Sequence, residues 1–100
     1  MRAVLVVFHL PEGSSLTEHR GFRRVVYGEE TSSHGGQYRY RRRGVLDEVP
    51  HVRLYWGAVI VGKEDWRKLR RVLQERGAVY HDREVIPTAA DRKALATAVG

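Results

Sequence analysis

Two tyrosines and four arginines fall within ten residues, "GGQYRYRRRG", Gly35 to Gly44. On an extended chain successive side chains point to opposite faces, so Tyr38, Tyr40 and Arg42 share one side and Arg39, Arg41 and Arg43 the other. Tyrosine rings stack on nucleobases, each contact contributing about 1–3 kcal/mol, and arginine forks hold backbone phosphates. The competing chemistry is a solvated sheet edge, with rings leaning on the core and cations blocking association between strands. One or two charges suffice for that. Four cations in five consecutive residues, with no acid among them, repel one another unless an anion is near. The pattern predicts a surface that binds nucleic acid.

In "HVRLYWGAVIV", Arg53 and Tyr55 repeat the pairing of cation and ring. The expected nucleic-acid contacts are therefore Tyr38, Arg39, Tyr40, Arg41, Arg42, Arg43, Arg53 and Tyr55. RNA or a single strand is the preferred partner, because stacking rings lie among the arginines and no helix-turn-helix pattern presents a recognition helix. Catalysis has one candidate. In "TSSHGG" the glycines permit close backbone approach, the hydroxyls donate, and His34 is of the type that exchanges protons near neutral pH. A metal-independent nuclease working by general acid–base chemistry at His34 is thus the alternative function, although a polar turn explains the same residues. His9, His19, His34, His51 and His81 form no HxH or HExxH arrangement. Asp82 and Glu84 in "HDRE" share a strand face, as a Mg²⁺ pair would, but the expected lysine two residues on is absent. No metal and no cofactor is expected, and His9 reads as a rim histidine with its hydrogen bonds satisfied.

The composition agrees with an anionic partner. The formal net charge over 100 residues is +6, which favours polyanions through bulk electrostatics. Fifteen of the eighteen cations are arginine, the planar donor suited to phosphate. Cysteine is absent, which excludes disulfides and thiol chemistry. No apolar run approaches a membrane span, so the expected compartment is the cytoplasm and no membrane partner is expected. Asparagine is missing and the initiator is the only methionine, as suits a thermophile. A third function class is a small subunit of a protein or ribonucleoprotein assembly, a homodimer included, in which a second chain completes the sheet.

The elements that must position these residues follow from periodicity. Arg2 to Leu10 is an apolar strand. Ser15 and Glu18 form a capping box that opens a helix to Gly28, with Phe22, Val25 and Val26 inward and Arg20, Arg23, Arg24 and Tyr27 outward. Glu29 to Gly36 reads as a mobile polar loop, Gln37 to Arg43 as a strand, and His51 to Val61 as one long strand. Trp66, Leu69, Val72 and Leu73 give the next helix its apolar stripe, opposite a basic arc of Lys63, Arg67, Arg70 and Arg71. Ala78 to Ile86 is a strand, and Thr88 with Asp91 caps a final helix. The sum is a single α+β domain over residues 1–100: ferredoxin-like βαββαβ, a four-stranded antiparallel sheet with two helices on one face plus a short C-terminal helix.

In architecture and aromatic use this plan resembles the RNA-recognition motif, which stacks bases on the open face of the same fold. The segment "RLYWGAVIV" supplies Tyr55, Trp56 and Gly57, without that module's order of glycine and aromatics, and membership is not claimed.

Overall fold

The computed structural model describes residues 2–36 and 38–96, of which 32–34 and 38 by backbone alone. β1 (Ala3–His9) is the apolar strand of the sequence and lies at the centre of the main sheet. α1 (Leu16–Tyr27) follows, then a hairpin of β2 (Glu29–Ser33) and β3 (Tyr38–Arg42). A 3-10 turn at Val45–Asp47 leads into β4 (His51–Tyr55), β5 (Ala58–Gly62), α2 (Trp66–Glu75), β6 (Val79–Val85) and α3 (Ala89–Leu95). This is a mixed α+β fold whose main sheet is four-stranded and antiparallel, in the order β4-β5-β1-β6.

Alternation along β1 builds the core. Val4, Val6 and Phe8 point to one side, where Val59 and Val61 of β5 join them under Phe22 and Val26 of α1 and Trp66, Leu69 and Leu73 of α2. The intervening Ala3 meets Ile60 and Leu95 of α3 on the opposite side, with Leu5, Val52 and Val85 packed around them. Two helices therefore cover one face and α3 covers one end of the other. Both predicted capping boxes form: Glu18 N–H donates to Ser15 Oγ at 3.1 Å, and Asp91 N–H to Thr88 Oγ1 at 3.1 Å. Among the described residues no helix is long and apolar enough to cross a membrane.

Two expectations change. His51 to Val61 is not one strand, because Trp56 and Gly57 turn it into the β4–β5 hairpin. Gly57 sits at φ +80°, and a Cβ there would lie 2.5 Å from the Phe8 carbonyl oxygen. The close approach lets Phe8 N–H donate to the Gly57 carbonyl at 2.8 Å, so the turn is tied to the end of β1. Only glycine combines that conformation with that contact. The second change is that the segment from 37 to 43 does not join the main sheet. β3 pairs instead with β2, the segment expected to be a mobile loop, in a separate two-stranded sheet. The main sheet has the expected number of strands, but the hairpin that β4 and β5 make fills the place reserved for β3.

Candidate nucleic-acid interface

The β2–β3 register places Glu29 opposite Arg42, Glu30 opposite Arg41 and Thr31 opposite Tyr40. Arg41 and Arg42 thus have acids across the strand, from residues about a dozen positions earlier in the chain, and Arg39 faces Ser32. Cross-strand pairs of opposite charge stabilise a hairpin that has no core of its own. Glu29 turns its carboxylate toward Arg24 at 3.5 Å, so that Arg42, although opposite Glu29, makes no ion pair with it.

Two of the four arginines fasten the hairpin to the body. Arg41 Nη2 donates to Asp47 Oδ1 at 2.8 Å, to Asp47 Oδ2 at 2.9 Å and to the Tyr27 carbonyl at 2.7 Å. Arg43 Nη2 donates to the Asp47 carbonyl at 3.0 Å, and Gly44 N–H to Asp47 Oδ2 at 2.8 Å. Burial alone would raise the Asp47 carboxyl. The hydrogen bonds from Arg41 and Gly44, with the charges of Arg41 and Arg43, outweigh it and hold the group below the usual carboxylate range. Gly44 crosses the end of α1 so closely that a Cβ would lie 2.6 Å from the Val26 carbonyl oxygen and closer still to the Gly28 amide.

Arg39 and Arg42 are exposed. Their guanidinium groups make no ion pair among the described residues. Tyr40 is 55% exposed and lines a groove of about 560 Å³ with Glu30, Thr31, Arg39 and Arg41. The side chains of Tyr38 and His34, both singled out in the sequence, lie outside the described residues.

The second cluster stands on the β4–β5 turn. Arg53 places its guanidinium 4.7 Å from the Trp56 ring centroid and 5.6 Å from that of Tyr27, while Arg23 lies 5.4 Å from Trp56. Tyr27 meets Trp56 edge-on at 4.7 Å, and its hydroxyl accepts from Gly57 N–H at 2.7 Å. Tyr27 is therefore not on the outer face of α1, as the helical pattern suggested, but wedged between helix and turn. Trp56 remains 54% exposed and Tyr55 75% exposed. Tyr27 also joins the two clusters, since its carbonyl receives Arg41 and its ring receives Trp56 and Arg53.

Trp56, Arg23 and Tyr27 were not among the contacts read from the sequence. One signal was present: His19, Arg23 and Tyr27 recur at i, i+4 and i+8, on a single helix face. The uncovered part of the main sheet differs from the stacking platform that the architecture suggested. It carries the aliphatic Val7 and Leu54, 43% and 55% exposed, and only at its β4–β5 end, among the described residues, a largely exposed ring: Tyr55 lies opposite Ala58, which itself pairs with Val7. Among the described residues no group of three or more histidine, aspartate or glutamate side chains is placed to hold a metal. No family model matches this chain, and neither the curated proteins nor the solved structures contain a significant match.

Proposed function

We propose that this protein binds nucleic acid, with RNA or single strands preferred, through the β2–β3 hairpin and the β4–β5 turn acting together. In this proposal the frame is ferredoxin-like, βαββαβ over β1, α1, β4, β5, α2 and β6, with the hairpin inserted between α1 and β4. One observation carries it: the exposed rings of Tyr40 and Trp56 stand beside arginines, in two clusters that Tyr27 connects, with the exposed Tyr55 ring next to Trp56 in the chain. Exposed aromatic rings and guanidinium groups are the two parts that a single-strand surface needs, one for bases and one for phosphates. The division of labour differs from a uniform basic strand. Arg41 and Arg43 hold the hairpin in place, and Arg39, Arg42, Arg53 and Arg23 are the phosphate contacts.

Tyr40→Ala and Tyr55→Ala are each expected to weaken RNA binding by about 1–3 kcal/mol, the range for a lost base–aromatic stack. Both rings are largely exposed, so the melting temperature should hardly move. Tyr40→Phe and Tyr55→Phe should regain most of the affinity, because the ring face and not the hydroxyl makes the contact. Affinities measured with a labelled single-stranded RNA, alongside thermal melts, check this. Lower melting temperatures with unaltered affinity would assign the tyrosines to packing.

A further inference from the structure

Most of the positive charge lies neither on the hairpin nor on the β4–β5 turn. β2 and β3 carry three arginines against two glutamates, a surplus of one. α1 and α2 carry seven arginines and lysines against two glutamates, a surplus of five in a chain whose net charge is +6. The basic arc read from the α2 sequence belongs to this surplus. Trp66, Leu69 and Leu73 bury the inner side of α2, and Arg67, Arg70 and Arg71 stay exposed around its solvent side. Arg20 is exposed on α1. The two helices touch, and Arg76, just past the end of α2, reaches across to α1. A Cβ on Gly21 would lie 3.7 Å from its Nη1. The exposed arginines thus stand on one continuous helical layer. Few acids answer them. Glu18 accepts from the Ser15 amide at 3.1 Å, and Glu75, one turn beyond Arg71, makes no ion pair with it. Arg24 and Lys68 do have acids, Glu29 at 3.5 Å and Glu48 at 3.9 Å. Among the described residues Arg20, Arg67, Arg70 and Arg71 have no ion pair. Arg67 stands three and four positions before Arg70 and Arg71, the spacings at which like charges destabilise a helix. A polyanion laid along the layer relieves that repulsion.

We infer that the α1–α2 layer is a second nucleic-acid site, which holds the phosphates of a duplex through Arg20, Arg67, Arg70 and Arg71. It shares none of these residues with the hairpin and turn, and it stands independently of the single-strand reading above. The rings of the layer select the duplex. Phe22 and Trp66 are buried, and Tyr27 is wedged against Trp56. No base can stack on these helices, so the ligand must offer phosphates while keeping its bases inside. A duplex does so, and it presents about one negative charge per 1.7 Å of its axis, twice the density of a single strand. Arg67 and Arg71 are about 6 Å apart along the helix axis at 1.5 Å per residue, far enough to take separate phosphates. Contacts of this kind carry no base information, so every duplex sequence should bind alike.

The test measures affinity for a blunt-ended DNA duplex and for a single-stranded RNA as salt is raised. Four phosphate contacts predict a duplex slope of about −3.6 in log affinity against log salt, at about −0.9 each. Arg67→Ala combined with Arg71→Ala should make that slope shallower by about 1.8 and leave the single-strand slope unchanged. The melting temperature should not fall, because both side chains are exposed. Arg39→Ala combined with Arg42→Ala should do the reverse and change the single-strand slope alone. No duplex binding at low salt, or an unchanged duplex slope in the helix variant, overturns the inference and leaves the single-strand reading standing. Duplex binding lost only in the hairpin variant also overturns it. Binding to phosphatidylserine vesicles in place of the duplex overturns it too, since the layer would then be a membrane surface. Duplex binding through the helix arginines without any single-strand binding upholds this site and overturns the reading above.

Discussion

Asp47→Ala is expected to destabilise the fold by about 1.5–3 kcal/mol, the range for hydrogen bonds that involve a charged group. Its carboxylate accepts from Arg41 and from the Gly44 amide, and its side chain is only 25% exposed. Removing it leaves the Arg41 guanidinium partly desolvated against the Tyr27 carbonyl without the carboxylate that it hydrogen-bonds. The variant should also bind RNA more weakly, because the hairpin that presents Arg39, Tyr40 and Arg42 loses its attachment. Acid provides a second handle. The carboxyl of Asp47 lies below its ordinary value of 3.8 in the folded protein. Its contribution to stability is therefore complete above that ordinary value and is lost as the pH falls through the lower folded one. Urea unfolding at neutral pH and at successive acid pH values should show Asp47→Asn losing less stability on acidification than the parent. Some acid dependence should remain in the variant. Lys63, hydrogen-bonded to the Glu84 carboxylate at 3.1 Å and attracting it by its charge, holds that group low in the same direction.

Leu69→Ala should have the largest effect on stability, about 2–5 kcal/mol as for other leucines removed from a tight core. Leu69 is fully buried and sits in the cluster that joins α2 to β1, β5 and α1. For a domain of this size each kcal/mol lowers the melting temperature by roughly 4–8 °C, so a drop of about 10 °C or more is expected. Leu54→Ala is the control. That side chain is 55% exposed, and its loss should change stability by about 0.5 kcal/mol or less. A small effect at Leu69, or equal effects at both positions, would mean that α2 is not packed on the sheet as described.

Features that depend on neighbouring residues were legible in the sequence. The apolar run of β1, the Ser15–Glu18 and Thr88–Asp91 capping boxes and the stripe of Trp66, Leu69 and Leu73 on α2 each stand in the structure. Features that depend on distant residues were not. Gly57 lies inside an apolar run, where periodicity favours a continuous strand, and its turn is fixed by the Phe8 backbone almost fifty residues away. The segment "EETSS" has little strand propensity, and it becomes β2 because its acids fall opposite the arginines of β3. Those same acids, with Asp47, supply the countercharge that the local pattern of four arginines lacked. The cluster of Arg23, Tyr27, Arg53 and Trp56 joins a helix to a turn about thirty residues on, a pairing that no local spacing encodes.

The most direct measurement is the affinity for a labelled single-stranded RNA as salt is raised from about 50 to 200 mM, the range over which phosphate contacts weaken most visibly. Phosphates held by Arg39, Arg42, Arg53 and Arg23 predict a straight line of log affinity against log salt, with a slope of about −3 at roughly −0.7 per neutralised phosphate. Replacing any one of these arginines by alanine should make the slope shallower by about 0.7, for every sequence alike, because phosphate contacts carry no base information. Binding that does not respond to salt, or no binding to any single strand at the lowest salt, would contradict a nucleic-acid interface on this hairpin and turn.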